Sequence, residues 1–282
     1  MTRAIVLVPD PNYPEAWDWA YDIEAAALER GGIKVEARPW TDDALFDADI
    51  VLPLVAWGYH AAPVRWHGLL DRLESEGKAV ANAVSVLRWN SDKRYLLQLE
   101  SNGIPTIPTR FVPALDEAAI EDARRAFGSE LIVKPPVSAA ADGTYRIGRD
   151  DTIPDDVRNK AAMIQPFLSG VMEEGEYSIL MFEGAFSHSV VKRPNRGDFR
   201  VQPHLGGREE PCAPPDDAIA VARAALAMSP EPPAYARVDL VRGPEGQLKV
   251  IELELIEPSL WLEHAPDGGA SFAAAILRRA RP

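Results

Sequence analysis

The stretch LKVIELELIEPSLWL, residues 248–262, carries Glu252 and Glu254 two apart, with Glu257 just beyond. Alternation along a strand sends Ile251, Leu253 and Leu255 to one face and both glutamates to the other, with side-chain origins about 7 Å apart. Two carboxylates so placed are either a wet sheet face or a clamp for a cation. Upstream, YARVDLV and LKVIELEL flank RGPEGQ and read as a hairpin. With a four-residue loop over 243–246, Arg242 faces Gln247 and Asp239 faces Val250. Asp239 then lies diagonal to Glu252 and beside Glu254. Three carboxylates that close repel and raise one another's pKa unless a cation sits among them. Magnesium, which prefers hard oxygen ligands, is suited to that place. A solvated polar face satisfies the same pattern.

The opposite charge gathers in KRPNRGDFRVQPHLGGR, residues 192–208, where Lys192, Arg193, Arg196, Arg200 and Arg208 face one acid, Asp198. The 282-residue chain has a net charge of −13. That balance argues against general nucleic-acid binding, which neutralises phosphates with lysine and arginine. An anion would have to be held by a local cluster such as this one, although a charge run is more commonly a solvated loop. The five histidines, at 60, 67, 188, 204 and 264, show no metal spacing, and His188 reads as a strand residue.

Positioning these groups requires a sizeable core, and 46% hydrophobic residues supply one. A single cysteine, Cys212, excludes internal disulfides and fits a reducing compartment. The N-terminus reads as a core strand rather than a signal sequence, and no run approaches the ~18 apolar residues of a membrane helix. The expectation is a soluble cytoplasmic protein. RAIVLVP, IKVEARPW, ADIVLPLVA and KAVAN read as strands, with helices over EAWDWAYDIEAAALERGG and PVRWHGLLDRLESEG. This α/β alternation predicts a parallel, Rossmann-like sheet over residues 1–87, without the G-x-G-x-x-G of a dinucleotide site. Trp17, Trp19, Trp57 and Trp66 are expected to pack in or line this unit, an aromatic acceptor pocket being the other use. NSDKRYLLQLESNGIPTIPT opens a second unit, with Ser91 as N-cap and a helix from Lys93 to Ser101. Strand, helix (LDEAAIEDARRAFG), strand (LIVKP), loop and strand follow to residue 168. A third unit, 169–282, holds a hairpin turning at Glu183-Gly184, a helix (DDAIAVARAALAMS), the second hairpin and a closing helix.

The order of these features over about residues 88–262 resembles the ATP-grasp superfamily, behind an α/β domain similar to the one that commonly precedes it. Within the superfamily the chain resembles bacterial glutathione synthetase. The wording of SHSVVKRPNRGDFRVQ…GG and IELELIEPSLW is most similar to the cycloserine-pathway cyclo-ligases acting on O-ureido-serine. The fold class implied is α/β: a Rossmann-like domain followed by a two-part α+β ATP-grasp module, 88–168 and 169–282.

The resemblance implies that Lys93 and Lys134 hold the phosphates of ATP, Lys134 at the carboxyl edge of an apolar strand, where ligands gather. It implies that PPVSAAADGT covers the phosphates, with contacts from Ser138 or Thr144, although alanines 139–141 stand where glutathione synthetase is glycine-rich. Backbone groups of Gln165, Phe167 and Leu168 would meet adenine, beside a Pro166 that cannot donate, and Glu176 would meet the ribose. Asp239, Glu252 and Glu254 correspond to the Mg2+ ligands, the third being asparagine in glutathione synthetase. Arg200 and Lys192 would neutralise the transferring phosphoryl group, and Gly206 and Gly207 would belong to a closing loop. Arg237 and Ser259 would touch substrate, with a structural role equally expected.

The implied reaction joins a small-molecule carboxylate to an amine through an acyl-phosphate. It forms a ring where both groups lie on one molecule. No membrane or nucleic-acid partner is implied, and a homodimer is the base-rate assembly. A phosphotransferase that stops after phosphoryl transfer, a non-catalytic nucleotide-binding module and a coincidence of motifs remain open on the sequence.

Overall fold

The computed structural model describes residues 1–44 and 47–280. The first unit follows the alternation of its sequence: β1 (Thr2–Val8), α1 (Asp18–Arg30), β2 (Ile33–Pro39), β3 (Ile50–Leu52) and α2 (Pro63–Ser75). The three strands form a parallel sheet in the order β2-β1-β3. The expected strand KAVAN contributes one bridge, Val80 to Val51. The run VSVLRWN, not anticipated as an element, forms α3 (Val84–Asn90). Ser91 is not an N-cap. It follows α3, donates to the Leu87 carbonyl and accepts from buried Trp66 Nε1 at 2.9 Å. The next helix, α4 (Tyr95–Ser101), starts two residues past Lys93, leaving that lysine in the turn before it.

The second sheet has the order β4-β7-β5-β6, from β4 (Arg110–Val112), β5 (Leu131–Lys134), β6 (Tyr145–Ile147) and β7 (Ala162–Pro166), with α5 (Glu117–Phe127) packed on it. Asp116 caps α5, its side chain accepting from Ala119 N at 2.8 Å. After the single turn α6 (Gly170–Glu173), a five-stranded antiparallel sheet runs β10-β9-β8-β11-β12. Its strands are β8 (Glu176–Phe182), β9 (Ala185–Arg193), β10 (Arg208–Pro211), β11 (Tyr235–Arg242) and β12 (Leu248–Glu254), with α7 (Ala218–Leu226) between β10 and β11. The β8–β9 hairpin turns at Glu183 and Gly184, both at positive φ, as a two-residue hairpin loop requires. The last helix, α8 (Ala270–Arg279), returns to pack beside α1, so Phe272 and Ile276 share a core with Val6 and Leu28. Among the described residues no helix is long and apolar enough to cross a membrane.

β12 is the outer strand of its sheet, and its outer edge is held at Val250 by the 105–107 backbone, with Val250 N donating to the Pro105 carbonyl at 2.8 Å and Ile107 N donating to the Val250 carbonyl at 3.2 Å, and further along by side chains. Asn90 Nδ2 donates to the Leu253 carbonyl at 2.8 Å and Leu255 N donates to Asn90 Oδ1 at 2.9 Å. Leu253 N donates to Tyr95 Oη at 2.8 Å. Buried Asn82, after a cis Ala81-Asn82 peptide, donates to the carbonyls of Leu255 and Tyr235 at 2.7 and 2.9 Å and accepts from Ala234 N at 2.6 Å. These contacts tie the segment after the first sheet to β11 and β12. Asn82→Ala orphans several buried backbone groups, each costing about 1–3 kcal/mol. We expect a loss of at least about 2 kcal/mol in urea unfolding on that basis; a loss within error would show that the clasp does not bear load.

Candidate active site

The acidic residues of the second hairpin meet through a register the sequence does not reveal. The loop between β11 and β12 spans five residues, not four: Gly243 N donates to the Gln247 carbonyl, and Arg242 pairs with Leu248. That shift alone would put Asp239 opposite Ile251. A β-bulge between Leu240 and Asp239 adds one residue to β12, so Asp239 faces Glu252 and Arg237 faces Glu254. The expected pairing of Asp239 with Val250 is therefore corrected. Ile251, the extra residue, lines a cleft instead of joining the core, while Leu253 and Leu255 stay buried.

The cleft encloses about 490 Å³, within the size range of small-molecule sites. It brings together Lys93, Lys134, Ser138, Gln165, Phe167, Leu168, Glu176, Lys192, Arg200, Arg237, Glu252, Glu254 and Ser259. Buried Asp239 lies behind this wall, accepting from Lys192 Nζ at 3.0 Å, Arg237 Nη2 at 3.0 Å and Ser178 Oγ at 2.6 Å. Arg237 also pairs with Glu254, and Lys192 with its cross-strand neighbour Glu176. Lys93 reaches Glu252 at 3.0 Å and the Ser138 carbonyl at 2.5 Å. Among the described residues the Lys134 side chain has no hydrogen-bond or ion-pair partner at the end of β5. Among the described residues, no three His, Cys, Asp or Glu side chains already form a metal cage, because cations are interleaved with these acids.

Residues 5–82 match the family described as the N-terminal domain of D-cycloserine synthetase DcsG. Over 276 residues the chain is 32% identical to the cycloserine biosynthesis protein DcsG of Streptomyces lavendulae, covering 89% of this chain and 90% of that one. The chain belongs to the DcsG family. A crystal structure of D-cycloserine synthetase DcsG superposes with a TM-score of 0.85 at 28% identity, covering 99% of this chain and 100% of that one. The ATP-grasp ligase PsnB, solved with a phosphomimetic variant of its minimal precursor, Mg and ADP, shares the fold. Its TM-score is 0.68 at 15% identity, covering 98% of each chain. This DcsG-family chain is an ATP-dependent ligase with the ATP-grasp fold. Kinship over nearly the whole length excludes a coincidence of motifs.

The electrostatics of this DcsG-family site follow from burial and the interleaved charges. Burial alone would push the Asp239 carboxyl up, but Arg237 and Lys192 outweigh it and hold the group below the usual aspartate range. Burial pulls the Lys192 ammonium down, and Asp239 with Glu176 more than reverses this. Lys134, without a partner, is lowered by burial. Glu254 is pushed up to about 7 by burial, against the pull of Arg237. Glu257, which also lines the cleft, is pushed up to about 8 by burial and by Glu254.

Other expected contacts are placed differently. Arg200 lines the cleft but forks onto its neighbour Asp198, at 3.1 and 2.8 Å, and stays outside the Lys192–Arg237 cluster. The Phe167 N–H is committed to the Glu130 carbonyl at 2.9 Å, and its ring lies 3.9 Å from the Arg146 guanidinium carbon. Gln165 uses its buried side chain to reach Thr109 Oγ1. His188 holds the Leu260 carbonyl at 2.9 Å, a structural role. Gly207 closes against the Val201 carbonyl, which a Cβ would meet at 2.0 Å. Trp17 and Trp66 pack as expected, whereas Trp19 and Trp57 line the cleft with Tyr13 and His60. The sequence offered no local signal for these, since they come from loops and helix starts of the first unit.

Ala140 and Ala141 both adopt positive φ, 52° and 61°, a left-handed conformation that a β-branched residue resists. Ala141→Val is expected to cost roughly 1 kcal/mol in urea unfolding, and Ala141→Gly to be tolerated; equal stability of the two variants would contradict the backbone geometry.

The folded state keeps a proton on Glu257 up to about pH 8 that an unfolded chain releases near the ordinary glutamate value. Stability contributed by this group is complete at acid pH and is lost as pH rises towards 8. His60 and His188, both lowered by burial, act in the opposite sense, but only below about pH 6.5. Between about pH 6.5 and 8, ligand-free melting temperatures should fall more steeply for wild type than for Glu257→Gln. Parallel slopes would remove Glu257 as the titrating group.

Proposed function

We propose that this chain uses Mg-ATP to activate the carboxylate of a small amino-acid derivative and then closes a ring with a nitrogen of the same molecule. The observation that carries this reading is the register that sets Asp239 against Glu252 and Arg237 against Glu254, facing Lys93, Lys134 and Lys192 in one cleft. Kinship with a D-cycloserine synthetase supports a cyclising reaction on an O-substituted serine such as O-ureido-serine.

Asp239, Glu252 and Glu254 supply only hard oxygen donors from one face of paired strands, which fits magnesium. When bound there, magnesium would offset phosphate charge and polarise the transferring phosphoryl group. Lys93 and Lys134 hold the nucleotide phosphates, Ser138 meets them from the alanine loop, and Gln165, Phe167 and Leu168 edge the adenine. Because the Phe167 N–H is committed, its part is the ring rather than the amide. Glu176 edges the ribose while anchoring Lys192. The substrate carboxylate attacks the γ-phosphorus, giving ADP and an acyl-phosphate, with Lys192 and Arg237 balancing the charge that develops. Arg200 turns from Asp198 onto the transferred group. The substrate nitrogen then attacks the acyl carbon, the C–O bond to phosphate breaks and inorganic phosphate leaves. Ser259 and Arg237 orient the substrate, and holding both ends of one molecule replaces a second binding event. The single Cys212 fits work in the reducing cytoplasm.

The test is ADP release with magnesium across D- and L-serine derivatives, with products identified by mass. A cyclic amide with stoichiometric ADP is expected. A stable phosphorylated product would favour a phosphotransferase, and nucleotide binding without substrate-stimulated ADP release would favour a non-catalytic module. Glu252→Gln and Arg200→Ala should each lower kcat/KM by about 100-fold or more, the scale of losing one transition-state contact. Full turnover in either variant would overturn its assigned role.

A further inference from the structure

Charge is distributed unevenly along the cleft. At the phosphate end, four cations (Lys93, Lys134, Lys192 and Arg237) stand among four carboxylates (Glu176, Asp239, Glu252 and Glu254). Glu257 is a fifth carboxyl group, in the loop that follows β12, and its side chain makes no hydrogen bond or ion pair among the described residues. Every other carboxylate of the cleft that is not freely exposed has a partner; even Glu209 accepts from Trp261 Nε1 at 2.9 Å. Glu257 is partly buried, so water compensates it poorly.

Its surroundings favour a cation. Tyr13 and Trp57 line the same cleft with ring centroids 6.3 Å apart, and Trp19 lies 5.8 Å from Trp57. Aromatic faces that share a cleft with a carboxyl able to ionise when a cation arrives attract an ammonium. The position also fits. Glu257 follows the end of β12 just past Glu254, and it lines the same cleft as Glu254 and Arg237. In an α-amino acid the ammonium is one carbon removed from the carboxylate. A substrate whose carboxylate meets the cations around Arg237 must therefore carry its ammonium into this neighbourhood.

We propose that Glu257 binds the α-ammonium of the substrate and so restricts this ligase to amino acids. The inference rests on the ligase reading above and adds a residue to it. The contact aligns the carboxylate towards the γ-phosphate and gives a partner to the one acid of the cleft that is neither exposed nor already paired among the described residues.

The test measures binding in the full chain by tryptophan fluorescence, with magnesium and a non-hydrolysable ATP analogue present. The probes are O-ureido-serine and its analogue bearing hydrogen in place of the α-ammonium. Wild type is expected to prefer the amino acid by about 10- to 100-fold, the worth of one charged hydrogen bond. Glu257→Gln should bind both probes with nearly equal affinity while holding the nucleotide analogue as wild type does, and Glu257→Asp should recover part of the preference. A wild-type preference retained in Glu257→Gln overturns the proposal, as does an equal loss of affinity for both probes or the absence of any preference in wild type. If wild type releases ADP without forming an amide, the ligase reading fails. A preference abolished by Glu257→Gln would still establish the ammonium contact.

Discussion

The site depends on the placement of one edge strand. β12 carries Glu252 and Glu254, and as the outermost strand it has a neighbour on only one side. On that side a bulge sets its register against β11, so that acid faces acid and acid faces arginine. On the other side Asn82, Asn90 and Tyr95 pair with its backbone. An unpaired edge would be free to slip, and a slip of one residue sends every side chain to the opposite face. Because the clasping side chains lie between the first sheet and the first turn of α4, this stretch also ties the first sheet to the last.

A second constraint is the cost of burying charge. Asp239 and Lys192 are almost fully buried, as is Arg237. Isolated ions in such a place would shift their pKa values and neutralise. Alternation of acid and base keeps Asp239 ionised and Lys192 and Arg237 protonated without a ligand. Exchange of one counter-charge for another perturbs the site less than creating charge afresh. Lys134 and Glu257 stand apart from this alternation, without a side-chain partner among the described residues.

The same distribution gives the cleft a direction. Cations concentrate beside Glu176, Asp239, Glu252 and Glu254, and aromatic rings and Glu257 line the rest of the cleft. The aromatic end is built from Tyr13, Trp19 and Trp57 of the first unit, while the charged end belongs to the later sheets. The charged and aromatic walls of the cleft are therefore supplied by different parts of the chain.

Much of this was legible in the sequence. Helical and strand periods, the glycine turn at Glu183-Gly184 and the spacing of Asp239, Glu252 and Glu254 follow from local preferences, and the lysines and basic hairpin stand out by charge. These features indicated the α/β and α+β units, and the nucleotide chemistry came from their resemblance, in that order, to the ATP-grasp superfamily. Tertiary structure alone decided that Asp239 faces Glu252 rather than Val250, that Ile251 leaves the core, that Ser91 serves Trp66 and that Trp57 meets Glu257 in one cleft. The physical reason is range. Propensity and alternation act between neighbours in the chain, whereas a bulge, an edge clasp and a shared cavity are set by contacts between residues far apart in sequence.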